Sequence, residues 1–533
     1  MLKEKITREL LMSEIKTSAD LESFKRSVSR KYKIPCLTNI ELLKAYHKSL
    51  KNKTIKKSEF LKNLLKTRPV RSLSGIVNVS VLTKPYPCPG KCIFCPIEKG
   101  IPKSYVSGEP AVERAKKLNY DPYLQVKKRI EMLEIEGHPT DKIELRIVGG
   151  TWSYYQKNYQ DWFIKRCFEA CNLMSRDLIS RKRSDLQNIQ RLNEKAKHRI
   201  IGLSVETRPD FINPAEIKRL RELGVTMVEM GIQSIYDDVL KFNLRGHTVK
   251  ETILATKLLK DTGFKVLYQM MPNLPRSSLV RDAMMFKEIF ANPNFQPDML
   301  KIYPCALLKQ APLYKLWQKG KYKPYTEKQL MHLIELIKKC VPSYVRIQRI
   351  SRDIPSGSIV AGPAKISNLR QILLAKMKRE DWQCQCIRCR EVRENYDQKE
   401  KIYLFRRNYQ ASRGKEIFLS FENKGRTKLY SLLRLRIPSR YETGHHNAFP
   451  ILENAAVIRE IHTYGQLSPL GGRASLTSPQ HKGLGKKLLR ESEKITKKEF
   501  GLKKIAVISG VGARGYFRES GYSLKDTYMI KNM

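Results

Sequence analysis

Between residues 71 and 370 short β-branched runs alternate with amphipathic helical patterns, and this alternation constrains the fold more than any other feature of the chain. The strand-like runs are GIVNVSVL, IELRIVGG, RIIGLSVET, VTMVEMGIQS and FKVLYQMM, separated by helical stretches such as DPYLQVKKRIEMLEIEG and KETILATKLLKDTG. Repeated strand–helix–strand units predict a parallel sheet with helical crossovers, closed or partly closed into a (β/α) barrel. Past residue 400 the pattern changes. KIYLFRRNYQ, KEIFLSFEN and KLYSLLRLRI read as antiparallel strands, AAVIREIHTYG as another strand, and GKKLLRESEKITKKEF as a helix. The expected fold is therefore α/β, a partial barrel over 71–370 followed by an α+β domain over 401–533. Residues 371–400 read as a helical, then polar, cysteine-bearing linker, and residues 1–70 as short amphipathic helices between Lys-rich turns.

The loop after the first barrel strand carries Cys88-Pro-Gly-Lys-Cys92-Ile-Phe-Cys95. Three thiolates this close can each take one iron of a [4Fe–4S] cluster and leave the fourth iron without a protein ligand. Such an open iron chelates the amino and carboxylate groups of S-adenosylmethionine, and one electron then cleaves the sulfonium to a 5′-deoxyadenosyl radical. The barrel is thus expected to be a radical SAM domain, with an external electron donor for its cluster. Gly149-Gly150-Thr151, ending the next strand, lets backbone approach the methionine end of that cofactor. Glu206, Glu229 and Gln233 are polar groups on otherwise apolar strands, and are candidates for cofactor contact or for structural hydrogen bonding.

Gln480-His-Lys-Gly483-Leu-Gly485 opens a helix in the C-terminal domain. Free N–H groups at a helix start suit the pyrophosphate of coenzyme A. The order strand, glycine loop, helix, strand, short aromatic helix is that of a GNAT acetyltransferase, with His462 and Tyr516 as candidate acid/base groups. A second cluster, Cys384, Cys386 and Cys389, suits structural Zn²⁺, which wants four ligands. The sequence identifies no fourth ligand, so zinc and unligated thiols both stand. Cys167 and Cys171, at helical spacing with no other ligand type beside them, read as packing.

With 102 Lys+Arg against 52 Asp+Glu the chain carries a formal charge of +50. Residues 1–68 alone hold 18 basic against 7 acidic side chains. Such a surface favours a polyanion such as nucleic acid, with a merely solvated lysine-rich surface as the alternative. No apolar stretch approaches the ~18 residues of a membrane helix, and the charged N-terminus lacks a signal-peptide core, so the cytoplasm is expected and a membrane is not.

The combination strongly resembles the catalytic subunit of Elongator and its single-chain bacterial and archaeal relatives. The likeness covers roughly residues 70–533 and rests on KPYPCPGKCIFCP, GHPTDKIELRIVGGTW, VETRPD, VEMGIQSIYDDVL, LRGHT, LKIYP, QRISRDIP, AVIREIHTYG, QHKGLGKKLL and ISGVGARGYF. It implies modification of tRNA at wobble uridine 34. The adenosyl radical takes hydrogen from the acetyl methyl of acetyl-CoA, the carbon radical adds to C5, and thioester hydrolysis leaves 5-carboxymethyluridine. By motif it places acetyl-CoA on Lys142, on Glu460, Ile461, His462 and Thr463, on Leu484, Gly485 and Lys486, and on Tyr516 and Phe517, with Gly483 in the loop. Lys142, Tyr516 and His462 are the catalytic candidates. The resemblance also matches residues 1–70, loosely, to a basic tRNA-binding extension. This chain departs from the family in Phe517, where a second tyrosine is frequent, and in Gln269, where histidine is usual. A homodimer is the remaining partner expectation. The rival reading is a protein lysine acetyltransferase whose iron–sulfur domain is structural.

Overall fold

The computed structural model describes residues 2–67, 72, 74–172, 185–366, 368–393, 396–439, 448–465 and 483–533. The boundary drawn at 70/71, and Gln480, His481 and Lys482 of the glycine motif, lie outside the described residues. Four helices open the chain, Leu2–Met12, Ser18–Tyr32, Asn39–Lys51 and Glu59–Leu65. Thr17 with Asp20 and Thr38 with Glu41 form capping boxes that start the second and third. Ile6, Leu10, Leu21, Val28, Leu42 and Tyr46 close a core that belongs to these helices alone.

Seven parallel strands follow in simple order: β1 Ile76–Leu82, β2 Lys142–Val148, β3 Arg199–Thr207, β4 Met227–Gln233, β5 Lys265–Met270, β6 Met299–Ile302 and β7 Arg346–Arg349. Each neighbour in sequence is the neighbour in the sheet, and β1 does not pair with β7, so the barrel is open along one side. β4 is buried at every residue, the mark of a strand covered on both faces. Cys167 and Cys171 are fully buried in the main core, as packing requires.

The second sheet has the order β13-β14-β12-β11-β10-β9-β8. Its strands are β8 Ile402–Ala411, β9 Gly414–Asn423, β10 Leu429–Ile437, β11 Ala455–Thr463, β12 Lys504–Val507, β13 Ser523–Lys525 and β14 Tyr528–Asn532. β8 to β11 run antiparallel, while β11 and β12 are parallel and paired only from Ala455 to Ile458. Beyond Ile458 the two strands part, and the helix Leu484–Lys498 that connects them opens with Gly483 lining the same cavity as β11 residues 459–463.

The second sheet docks on the starts of the barrel strands. Gly510 makes this possible on one side: a Cβ there would lie 2.1 Å from the Ile201 carbonyl oxygen of β3, so only glycine fits. On the other side lies a layer of buried charge. Arg459 donates to Asp298 at 2.8 Å and to Glu416 at 3.2 Å, Lys260 meets Asp298 at 3.3 Å, and Arg436 bridges Glu416 (3.0 Å) and Asp261 (2.6 Å). Arg459 occupies a β-bulge: the β10–β11 register passes from Arg434↔Glu460 to Leu435↔Ile458 and leaves it unpaired, which re-aims its side chain.

The stretch over 371–400 is packed rather than a free tether. Cys384 and Cys386 are fully buried, Ile387 N–H donates to Val345 O (2.9 Å), and Val392 N–H donates to Leu429 O (2.9 Å). It is therefore stitched to the barrel at one end and to β10 at the other. Among the described residues no helix is long and apolar enough to cross a membrane.

Candidate active site

Alternation along β2 decides what faces the barrel lumen. Ile143, Leu145 and Ile147 are buried in the main core, whereas Lys142, Glu144, Arg146 and Val148 line a cavity of about 1670 Å³. That cavity runs from Cys95, Glu206 and Gln233 at the strand ends to Lys142, Glu460 and Gly485 at the strand starts. Seven residues of strand span about 20 Å, so the two groups of predicted site residues sit at opposite mouths of one lumen.

At the first mouth Cys92 and Cys95 are buried and Cys88 is half-buried. Burial, with Cys92 beside it, pushes the Cys95 thiol up to about 12. A protein keeps such a crowd of buried thiols most readily for a metal that replaces their protons. Among the described residues only Cys384, Cys386 and Cys389 bring three sulfurs within 4.8 Å of one another, the spacing of ligands on a single ion. The wider first trio suits three separate irons. The residues present thus fit a [4Fe–4S] cluster.

Gly149 and Gly150 both take positive φ, and a Cβ on Gly149 would fall 1.9 Å from Thr83 Oγ1. Gly149 N–H points at Glu206 (3.4 Å), and Thr151 Oγ1 lies 4.0 Å from Cys88 Sγ. Glu206 also accepts from Tyr105 Oη (2.9 Å) and Gln269 Nε2 (3.2 Å). Gln233 sits at φ 72°, an uncommon conformation for a side-chain-bearing residue, with its Oε1 buried and unpaired at the cavity wall. Glu229 differs from these. It does not line the cavity and is clasped between Arg146 (2.6 Å) and Lys301. Burial would raise its carboxyl, but the two cations outweigh that and hold it ionised.

At the second mouth Glu460 pairs with Arg434 (2.8 Å) and Lys265 (3.6 Å). Burial works against its charge, yet Lys265 and Arg434 hold its carboxyl at about 2. His462 is half-buried with its Nε2 buried and unpaired, and desolvation lowers it to about 4, so it is neutral near pH 7. Ile461 and Thr463 line the cavity beside it, and Thr463 Oγ1 is 2.9 Å from Ser431 Oγ. Gly483, at φ 73°, starts the helix without a side-chain cap, and Leu484, Gly485 and Lys486, whose N–H groups precede the first intrahelical donor, Lys487, line the cavity. A Cβ on Gly485 would stand 3.0 Å from Tyr516 Oη, a tight contact that the tyrosine side chain would have to yield to. Tyr516 is part-buried on the wall, while Phe517, 4% exposed, also belongs to the domain's core.

Sequence reading missed Arg146, Lys301, Lys265 and Arg434. Arg146 carried a signal, since it shares the parity of Lys142 along β2. The second cysteine trio is brought together with Lys338 Nζ 3.3 Å from Cys389 Sγ, and no fourth His, Cys, Asp or Glu joins it among the described residues.

The chain matches the radical SAM superfamily over residues 86–280 and the radical SAM C-terminal domain over residues 297–379. It is 43% identical over 548 aligned residues, covering 100% of both chains, to a tRNA uridine(34) acetyltransferase of Methanocaldococcus infernus. It is 39% identical to Elongator complex protein 3 of Homo sapiens over 88% of this chain and 86% of that one. The solved structure of archaeal Methanocaldococcus infernus Elp3 with an N-terminal deletion superposes with a TM-score of 0.74 at 42% identity, covering 86% of this chain and 100% of that one.

Proposed function

Because this chain belongs to the family of the tRNA uridine(34) acetyltransferases and Elongator complex protein 3, we propose that it modifies the wobble uridine of tRNA, forming 5-carboxymethyluridine from acetyl-CoA. The observation that carries the reading is the single lumen joining the Cys95 mouth to the Lys142, Glu460 and Gly485 mouth. Cys88, Cys92 and Cys95 hold the [4Fe–4S] cluster, which with S-adenosylmethionine and one electron from an external donor supplies hydrogen-atom abstraction.

The chain's own residues do the rest. The uncapped N–H groups of Leu484–Lys486 bind the pyrophosphate of acetyl-CoA. Lys142, contributed by the barrel, attracts the anionic coenzyme and aims its thioester into the lumen. His462, neutral, and Tyr516 flank that arm. Glu206 and Gln233 orient the methionine end of S-adenosylmethionine at the other mouth, with Gly149, Gly150 and Thr151 making room for it. Cys384, Cys386 and Cys389 offer three of the four ligands of a structural Zn²⁺, which would fasten barrel to second sheet.

Acetyl-CoA deuterated on its methyl group tests the reading. Deuterium is expected in 5′-deoxyadenosine only when tRNA is present, and Lys142→Ala reduces the transfer more than S-adenosylmethionine binding. Simple acetyl transfer breaks no methyl C–H bond. Unlabelled 5′-deoxyadenosine beside normal product, or acetylation of a lysine peptide with no tRNA product, would overturn it.

The four N-terminal helices supply phosphate contacts to the tRNA. Their core is their own, with contacts to the barrel where Thr67 N–H donates to Glu136 O (3.4 Å), so deletion of residues 2–67 is expected to leave the barrel folded. The deletion is expected to weaken tRNA binding and to flatten its logarithmic salt dependence by about one unit per lost contact, while acetyl-CoA binding is retained. Filter binding across salt concentrations reads this, and an unchanged slope would make the helices a solvated surface.

A further inference from the structure

We propose that Arg208 and Arg245 form a cationic collar on the thiolates of Cys88 and Cys92 and raise the reduction potential of the cluster held there, an inference that rests on the assignment of Cys88, Cys92 and Cys95 as cluster ligands. Arg245 follows the short helix after β4. It is 7% exposed, its Nη2 donates to Gly231 O at 2.5 Å, and its Nη1 points at Cys92 Sγ from 3.6 Å. Arg208 directly follows β3, ahead of the turn Pro209–Phe211, and is 5% exposed. Its Nε and Nη2 grip Asp210 (2.9 and 2.8 Å), and Nη2 also donates to Gly246 O (3.0 Å). That grip leaves Nη1 buried without a hydrogen-bond partner.

The free Nη1 faces the cysteine loop. A Cβ placed on Gly90 would lie 2.7 Å from Arg208 Nη1, 3.5 Å from Cys92 Sγ and 3.6 Å from Cys88 Sγ, so one guanidinium nitrogen and both sulfurs border a single point. A Cβ on Gly246 would lie 3.1 Å from Arg208 Nη2. Two glycines therefore make room for this guanidinium against the loop. A buried donor with no partner is costly, and sulfurs carrying negative charge are the acceptors it faces.

Reduction adds one electron to the cluster, from a low-potential one-electron donor, and no proton, because guanidinium does not titrate in this range. The electron raises the negative charge shared by iron and sulfur. The Arg245 guanidinium and that of Arg208, whose charge Asp210 partly offsets, lie a few ångströms away in a dry loop and favour that state over the oxidised one. The collar thereby holds the cluster within reach of its donor while leaving the open iron free.

The test is potentiometric titration, followed by electron paramagnetic resonance, of the full chain reconstituted anaerobically with iron and sulfide. Arg245→Gln and Arg208→Gln are each expected to shift the reduction equilibrium about tenfold toward the oxidised form, a fall of 59 mV for one electron. Arg245→Lys, which keeps the charge, recovers part of the fall. Gly90→Ala pushes Arg208 off the sulfurs without removing it and lowers the potential in the same direction; if the glutamine variants lose iron, this variant and Arg245→Lys still decide. A wild-type potential in the glutamine variants that keep their iron, or in Gly90→Ala, overturns the collar alone. A wild-type chain that takes up no iron overturns the cluster assignment and the collar with it.

Discussion

Cys92→Ala is expected to abolish both the iron–sulfur absorbance of the reconstituted protein and all tRNA modification. Acetyl-CoA affinity should change by less than about twofold, the scale within which distant sites remain independent. Cys92 is buried at the strand ends of the barrel, and the mouth proposed for the coenzyme lies at the strand starts against the second sheet. Two assays on one preparation check this, iron content with nucleoside mass spectrometry for the first site and calorimetric titration with acetyl-CoA for the second. Modified nucleoside from the mutant would end the assignment of this triad, and a lost coenzyme site would show the mouths to be coupled through the fold.

The second large effect concerns the buried charges between the domains. Asp298 is fully buried and meets Arg459, Lys260 and Arg434. Asp298→Ala leaves three buried cations short of their shared anion, which costs about 3–5 kcal/mol. A marked fall in the apparent melting temperature is expected by scanning calorimetry. The double variant Asp298→Leu with Arg459→Met is expected to recover most of the loss, because an apolar pair does not carry the desolvation cost. A single variant as stable as wild type would remove the network from the account of the interface. Acid should act on the same layer. Glu460 is held at about 2, below its ordinary 4.5, by Lys265 and Arg434 against the effect of burial. Its contribution is complete above the ordinary value and is lost as pH falls from 4.5 toward 2, so the melting temperature should drop through that window and Glu460→Gln should flatten the drop.

The strand–helix alternation, the Cys88–Cys95 loop and the glycine-led helix at Gly483 were all readable locally, since each depends on residues a few positions apart. Lys142 could be placed on the lumen by parity once β2 was recognised. The interface was not readable. Arg434 and Arg436 alternate with leucines along β10 and look like the wet face of an antiparallel strand, yet both are at most 1% exposed. What buries them is Asp298, Asp261 and Glu416, and Asp298 stands 161 residues before Arg459. No local pattern encodes a partner at that separation, or the bulge that turns Arg459 toward it. The 371–400 stretch shows the limit in another way. Its polar, cysteine-bearing composition marks a linker but not its packing, and Cys384 and Cys386 are fully buried. Phe517 shows the same limit at a single position, because the core that holds it and the cavity it touches meet there.

The clamp between the two sheets has a kinetic meaning. Two domains on a flexible tether meet at an effective concentration in the millimolar range, and their reactive groups sample every orientation. Here the ion layer, the Gly510 contact on β3 and the stitched 371–400 segment leave the sheets no such freedom. On the proposed reading, an acetyl group bound in this lumen would be an intramolecular reactant for the radical chemistry, and effective molarities for well-aligned intramolecular reactions reach about 10⁵–10⁸ M. Loosening the clamp without touching either site should therefore slow turnover while leaving both affinities alone, because what is lost is the alignment of two bound molecules and not the binding of either.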